Sequence, residues 1–133
     1  MTIERQAFFD VMASFPSGVA IVTTLDADGT RVVHLAGQLG LNADFSLAAD
    51  DLHGQTVKAM QNVEIALRAA GAGWDDVVRR TIYTVDPTAY EVITQAIDEV
   101  TGGAAHPAQT IVGITGLAVP GCLIEIECTA VLG

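Results

Sequence analysis

The strongest constraint on the fold lies in residues 53–87, HGQTVKAMQNVEIALRAAGAGWDDVVRRTIYTVDP. Leu52, Thr56, Ala59, Met60, Val63, Ala66, Leu67 and Ala70 recur at three- and four-residue steps. That spacing places them on one stripe of a long helix, with Lys58, Gln61, Asn62, Glu64 and Arg68 pointing away. Gly71-Ala72-Gly73 predicts the stop, because glycine takes the left-handed C-cap conformation without a Cβ clash. Val77 to Val85 is then rich in β-branched and aromatic residues and reads as a strand closed by Pro87. A helix with a single apolar face must lie on something, and the neighbouring strands are the natural partner.

The rest of the chain supplies them. Glu4 to Ser14 reads as a helix with Ile3, Phe8, Val11, Met12 and Phe15 on its apolar side, broken at Pro16-Ser17-Gly18. Val19 to Thr24 and Arg31 to Leu35 read as strands joined by the turn signal Asp26-Ala27-Asp28-Gly29. Gly37 to Asp51 reads as a loop, with Ser46 or Asp50 capping the long helix. Thr88 to Thr101 reads as a second helix with Tyr90, Ile93, Ile97 and Val100 inward, stopped by Gly102-Gly103. Gln109 to Ile114 and Leu123 to Leu132 complete the strands. The expected fold is α+β, a mixed sheet covered on one face by two long helices. All 133 residues form one domain, with residues 1–17 as an extra N-terminal helix.

Sixteen acidic residues against six basic ones give a formal charge of −10. This opposes nucleic-acid binding, which needs clustered Lys and Arg to displace counterions. The start MTIERQAFF lacks a basic region followed by an apolar core, and no apolar run approaches the ~20 residues needed to span a bilayer. A cytoplasmic protein without a membrane partner is expected. Cys122 and Cys128 lie on one expected strand, roughly 20 Å apart at ~3.3 Å per residue, too far to bridge. The three histidines are scattered, with no metal-ligand spacing, so no metal is expected. No glycine-rich phosphate loop follows a strand, and neither Ser nor Cys sits in a nucleophile elbow.

Strand alternation assigns faces. Ile124, Ile126, Cys128 and Ala130 suit the face under the helices, as do Val112 and Ile114, and Val33 and Leu35. That leaves Leu123, Glu125, Glu127 and Thr129 on the open face, with Gln109, Ile111 and Gly113 and with Val32, His34 and Ala36. An open face mixing apolar and polar groups calls for a symmetric oligomer to bury it.

Several separated motifs, in order, resemble the RidA (YjgF) family. They are Ala36-Gly37-Gln38, Gln55-Thr56, Ala70-Gly71-Ala72, the run from Val77 to Asp86, Pro107-Ala108, and Leu123-Ile124-Glu125-Ile126-Glu127. The likeness covers roughly residues 18–133. It implies a chorismate mutase-like fold and a homotrimer whose inter-subunit clefts hold a small molecule bearing a carboxylate, without a cofactor. Some relatives carry a ribonuclease label, which the acidic composition here does not support. By the resemblance, Gly37 is the glycine of the family's Ser-Gly-Gln motif, with Ala36 in place of the serine. Glu125 orients water, Thr94 stands at a cleft-facing helix position, and Phe15 stands near the family's N-terminal tyrosine. Gln109 replaces the arginine that forks the substrate carboxylate, a loss of charge that glutamine cannot copy.

These residues imply a divergent small-molecule enzyme. It would act on an enamine, imine or related metabolite by water addition or proton transfer, rather than by ordinary 2-iminobutanoate deamination. Glu125, with His106 or His34, moves the proton. Ala36, Gly37, Gln109, Thr94, Phe15 and Ile111 line the ligand, with Gln109 meeting a neutral or amide-like group. Against this stands a non-catalytic trimeric module that binds a metabolite, favoured by Ala36 and Gln109. A protein-docking role for the acidic surface and N-terminal helix is a third reading. Residues 8–29, FFDVMASFPSGVAIVTTLDADG, are also similar to the opening of short-chain flavin reductases, whose later flavin-binding pattern is missing here.

Overall fold

A computed structural model describes residues 21–133. The helix expected at Glu4–Ser14, Phe15 and the start of the first strand lie outside the described residues. Five strands form one mixed sheet in the order β1-β2-β5-β3-β4. They are β1 (Ile21–Leu25), β2 (Arg31–Leu39), β3 (Val77–Thr84), β4 (Ala108–Gly113) and β5 (Ile124–Leu132). Helices α1 (Leu52–Ala69) and α2 (Tyr90–Thr101) cover one face. All neighbouring pairs are antiparallel except β3 with β4, which α2 joins by the long crossover that parallel strands require. This is the α+β architecture expected from the sequence.

The core forms where the apolar stripes meet. Ala59, Met60, Val63, Ala66 and Leu67 of α1 and Ile93 and Ile97 of α2 pack on Val33, Leu35, Ile82, Ile124, Ile126, Cys128 and Ala130 of the sheet. The end of α1 is a Schellman motif. Gly71 has φ +78°, its N–H donates to Arg68 O at 3.0 Å, and Ala72 N–H donates to Leu67 O at 2.8 Å.

Five local expectations are corrected. Strand β2 continues to Leu39 rather than ending at Leu35, because a bulge between Leu35 and Gln38 carries it past Ala36-Gly37. The cap of α1 is Asp51, whose carboxylate accepts the Gly54 N–H at 2.8 Å, not Ser46 or Asp50. Asn62 does not point outward: it is buried and donates to Leu39 O and Leu41 O at 3.0 and 3.1 Å. Those carbonyls belong to a strand end and loop that no helical periodicity reveals. Tyr90 is 56% exposed rather than inward: it is the first residue of α2, and the buried positions of that helix begin at Ile93. Cys122 lies ahead of β5 and not on it, packed with Leu39 and Leu41 in a second small core that also holds Leu47, Leu117 and Val119.

Buried Gln55 ties this second core to α1. Its amide donates to Ala49 O and Gly121 O and its carbonyl accepts the Leu123 N–H at 2.7 Å. The segment between β4 and β5 is thereby fixed where it can form one wall of a cleft.

Candidate functional site

On the sheet face away from the helices, Ala36 and Gly37 occupy the bulge of β2, where the strand passes β5 with one extra residue. The bulge brings backbone close to the neighbouring side chain. A Cβ on Gly37 would lie 2.4 Å from Glu125 Oε1, so the missing side chain is the space the carboxylate fills. Gly37 and Glu125 line a cleft of about 300 Å³ together with Tyr83, Glu127 and Ile114, Leu117 and Ala118 of the following segment. Tyr83 O–H donates to Glu127 Oε1 at 2.8 Å.

The electrostatics follow from this packing. Burial among apolar walls, and secondly the charge of Glu127, hold the Glu125 carboxyl above its usual range. The hydrogen bond to Glu127 raises the Tyr83 phenol, because losing that proton would set two negative oxygens together. Glu127 is engaged by Tyr83, which leaves Glu125 as the carboxylate without a hydrogen-bond donor among the described residues. A glutamate of this kind holds a proton more readily than an ordinary surface carboxylate and can serve as an acid or base.

Replacing Gly37 by alanine is expected to push the Glu125 carboxylate out of its niche. The obstructing atoms belong to a flexible side chain, so the fold should survive. Carbon-detected NMR titration of Glu125 checks this: its midpoint should fall back towards the ordinary carboxylate value, with the melting temperature little changed.

The other candidate residues divide between faces. Register places Gln109 beside Arg80 and Ile111 beside Ile82, a core residue on the helix side, and Ile111 itself packs against that core. The assignment of Gln109, Ile111 and Gly113 to the open face is thus reversed. It is Ile114, expected under the helices, that lines the open-face cleft. The sequence alone could not set this parity, because β4 lies at the sheet edge and shows little contrast in burial along its length.

On the helix side, Arg80 Nε donates to Gln109 Oε1 at 2.7 Å and Arg80 Nη2 to His106 Nδ1 at 3.0 Å. His106 Nε2 lies 2.9 Å from Asp98 Oδ1, a contact that is electrostatic rather than a well-aligned hydrogen bond. His106 therefore belongs with Gln109 and not with Glu125. His34 is exposed on the open face, its Nδ1 3.2 Å from Thr129 Oγ1, and lines a separate depression with Arg79, Thr81 and Glu127. The Thr94 hydroxyl donates to Tyr90 O within its own helix and lines neither hollow. Tyr83 and Arg80 were not picked out from sequence, whereas Glu127 was placed on the open face, where it is found, without a role in the site. Tyr83 had a usable signal, its alternation in β3 with the core residues Ile82 and Thr84, whereas the Arg80–Gln109 pairing depends on parallel register.

Burial raises both thiols, Cys128 up to about 12, so neither is poised as a nucleophile. Among the described residues no group of three His, Cys, Asp or Glu could hold a metal ion, and no helix is long and apolar enough to cross a membrane.

Residues 22–132 match the family model described as endoribonuclease L-PSP. The chain belongs to the YjgF/RidA family. Among the family's curated proteins, the RutC family protein UK114 of Drosophila melanogaster is 31% identical over 104 residues, covering 77% of this chain and 74% of its own. A Yersinia pestis Rid-family protein of unknown function, YyfB, is 39% identical with a TM-score of 0.70, covering 76% of this chain and 78% of its own. A Mycobacterium tuberculosis member of the YjgF/YER057c/UK114 family is 35% identical with a TM-score of 0.66, covering 76% and 79%. YjgF/RidA membership supports a function on small metabolites.

Proposed function

We propose that this YjgF/RidA-family chain is an enzyme acting on an enamine, imine or related small metabolite in a cleft between the subunits of a homotrimer. Glu125 carries the reading. It is a partly buried carboxylate, raised by desolvation, without a donor of its own, and set against a glycine in a cleft of small-molecule size. In the step envisaged, Glu125 takes a proton from water as the oxygen adds to the C=N carbon and passes it to the nitrogen. The hydroxyl of the adduct then gives its remaining proton, through Glu125, to the nitrogen, the C–N bond breaks and ammonia leaves. A carbonyl product remains, and no redox partner is needed.

The division of candidate residues between the two sheet faces supports the inter-subunit placement. Glu125 and Gly37 on one face can meet Gln109 and His106 on the other only if they come from different copies. Exposed apolar residues of the chain, among them Val78 at the bulge of β3, also favour burial against a neighbour. The second reading, a trimer that binds a metabolite without turning it over, rests on Ala36 and Gln109 standing where the family resemblance puts serine and arginine.

Hydrolysis of 2-iminobutanoate, generated in situ by a threonine dehydratase, and of related enamines is the test, with particle mass from light scattering on the same samples. Turnover of a related enamine or imine that disappears in Glu125→Gln, with 2-iminobutanoate a poor substrate, is the expected result. A wild-type trimer that is inert on the whole panel yet binds the carbonyl products would hand the function to the binding module.

A further inference from the structure

Arg80 is 2% exposed, yet no carboxylate lies within ion-pair distance of its guanidinium among the described residues. Burying a cation is costly unless something compensates it. Its partners here are the neutral amide oxygen of Gln109 and the Nδ1 of His106, which must be an acceptor because guanidinium only donates. Asp98 is turned to the far side of that imidazole. Nη1 makes no hydrogen bond among the described residues. The Gln109 amide is oriented by the same contact: its oxygen faces Arg80, so its N–H2 group is the end left to donate. Gln109 is on the edge strand β4 and is partly exposed, and His106 is exposed beside it. The arrangement presents donors and one positive charge without a contacting carboxylate at a sheet edge, Asp98 acting on it only from a distance.

We propose that Arg80, with the Gln109 amide beside it, is the anion-binding position of this protein and takes the carboxylate of a small ligand. The guanidinium reaches residue 109 from the adjacent strand, because Arg80 and Gln109 are register partners with side chains on one face. A ligand carboxylate takes the place of the exposed His106 imidazole on Nη2 and pairs with Nη1 as well, a planar fork that matches two carboxylate oxygens. His106 then remains against Asp98. The inference names the residue that would hold the anion in the cleft proposed above and so rests on that reading, but it is tested by binding alone.

Calorimetry with 2-oxobutanoate and its neutral amide, 2-oxobutanamide, separates charge recognition from shape. Wild-type protein should bind the acid at least about tenfold tighter than the amide. Arg80→Gln should abolish that preference, and Arg80→Lys should keep a reduced part of it. Gln109→Arg should not improve binding of the acid, since it sets a second guanidinium against the first. Equal affinity of the wild type for acid and amide overturns the proposal, as does a preference that survives in Arg80→Gln. If Arg80→Gln breaks the oligomer apart while the wild type prefers neither ligand, the charge answers a carboxylate of a second copy, and the proposal fails. Where Arg80→Gln does not fold, the wild-type preference and its fall in Arg80→Lys decide. Acid preference without imine turnover sustains the anion site and rejects the enzyme reading.

Discussion

Glu125→Gln is expected to lower turnover about a hundredfold to ten-thousandfold, the usual range for losing a positioned acid or base. The same change should raise the melting temperature at neutral pH. Burial holds the folded carboxyl above its ordinary value, so the native state binds this proton more tightly than the unfolded chain does. The stability this contributes is complete below the unfolded value of about 4.3 and is lost as pH rises through the higher folded value. Above that window the ionised glutamate is a cost, which glutamine removes. The gain should be small, because the group is partly exposed and solvent screens it. It should vanish below about pH 4, where both proteins are neutral at this position. If Glu125 acts as a base, kcat/KM of the wild type rises with pH through the same raised value. Thermal melts and rate profiles across pH 4–8 check both signs. Loss of activity with loss of stability would mean a structural carboxylate instead.

Ile82→Ala should give the largest change in stability. Ile82 is fully buried on β3, with Ile126 and Ile111 as its register partners beneath the helices. Removing its outer carbons forfeits transfer energy and leaves a cavity that close-packed neighbours fill only in part, a cost of about 3 kcal/mol within a usual range of about 2–5. For a domain of this size the melting temperature should fall by on the order of 10 °C. Ile65→Ala serves as the control: Ile65 is on α1 but 46% exposed, and its loss should stay within about 0.5 kcal/mol. A comparable drop in both variants would show that the open side of α1 is covered in solution by something beyond the single chain.

Much of the fold was legible in residue order. The stripe of α1 and its glycine stop, the alternation in β5 and the break at Gly102 are local signals, and each reappears in the structure. Burial at Ile124, Ile126, Cys128 and Ala130 follows the two-residue period because β5 lies inside the sheet, with a helix on one side and an open face on the other. Glu125 was legible for the same reason, since its parity is opposite to that core. Asn62 was not, because its burial answers two carbonyls about twenty positions upstream. The extension of β2 was also hidden, as a bulge interrupts the very alternation that marks a strand.

The site needed the tertiary structure most. Sequence determined that a carboxylate would stand on the open sheet face and that residue 109 is a neutral glutamine. Only the folded chain decided that Gly37 makes room for Glu125, that Tyr83 and Glu127 share its cleft, and that Arg80 sits against Gln109 beneath the helices. Periodicity fixes which neighbours along one strand share a face. It cannot fix the register between strands 29 residues apart, and that register decides which side chains meet.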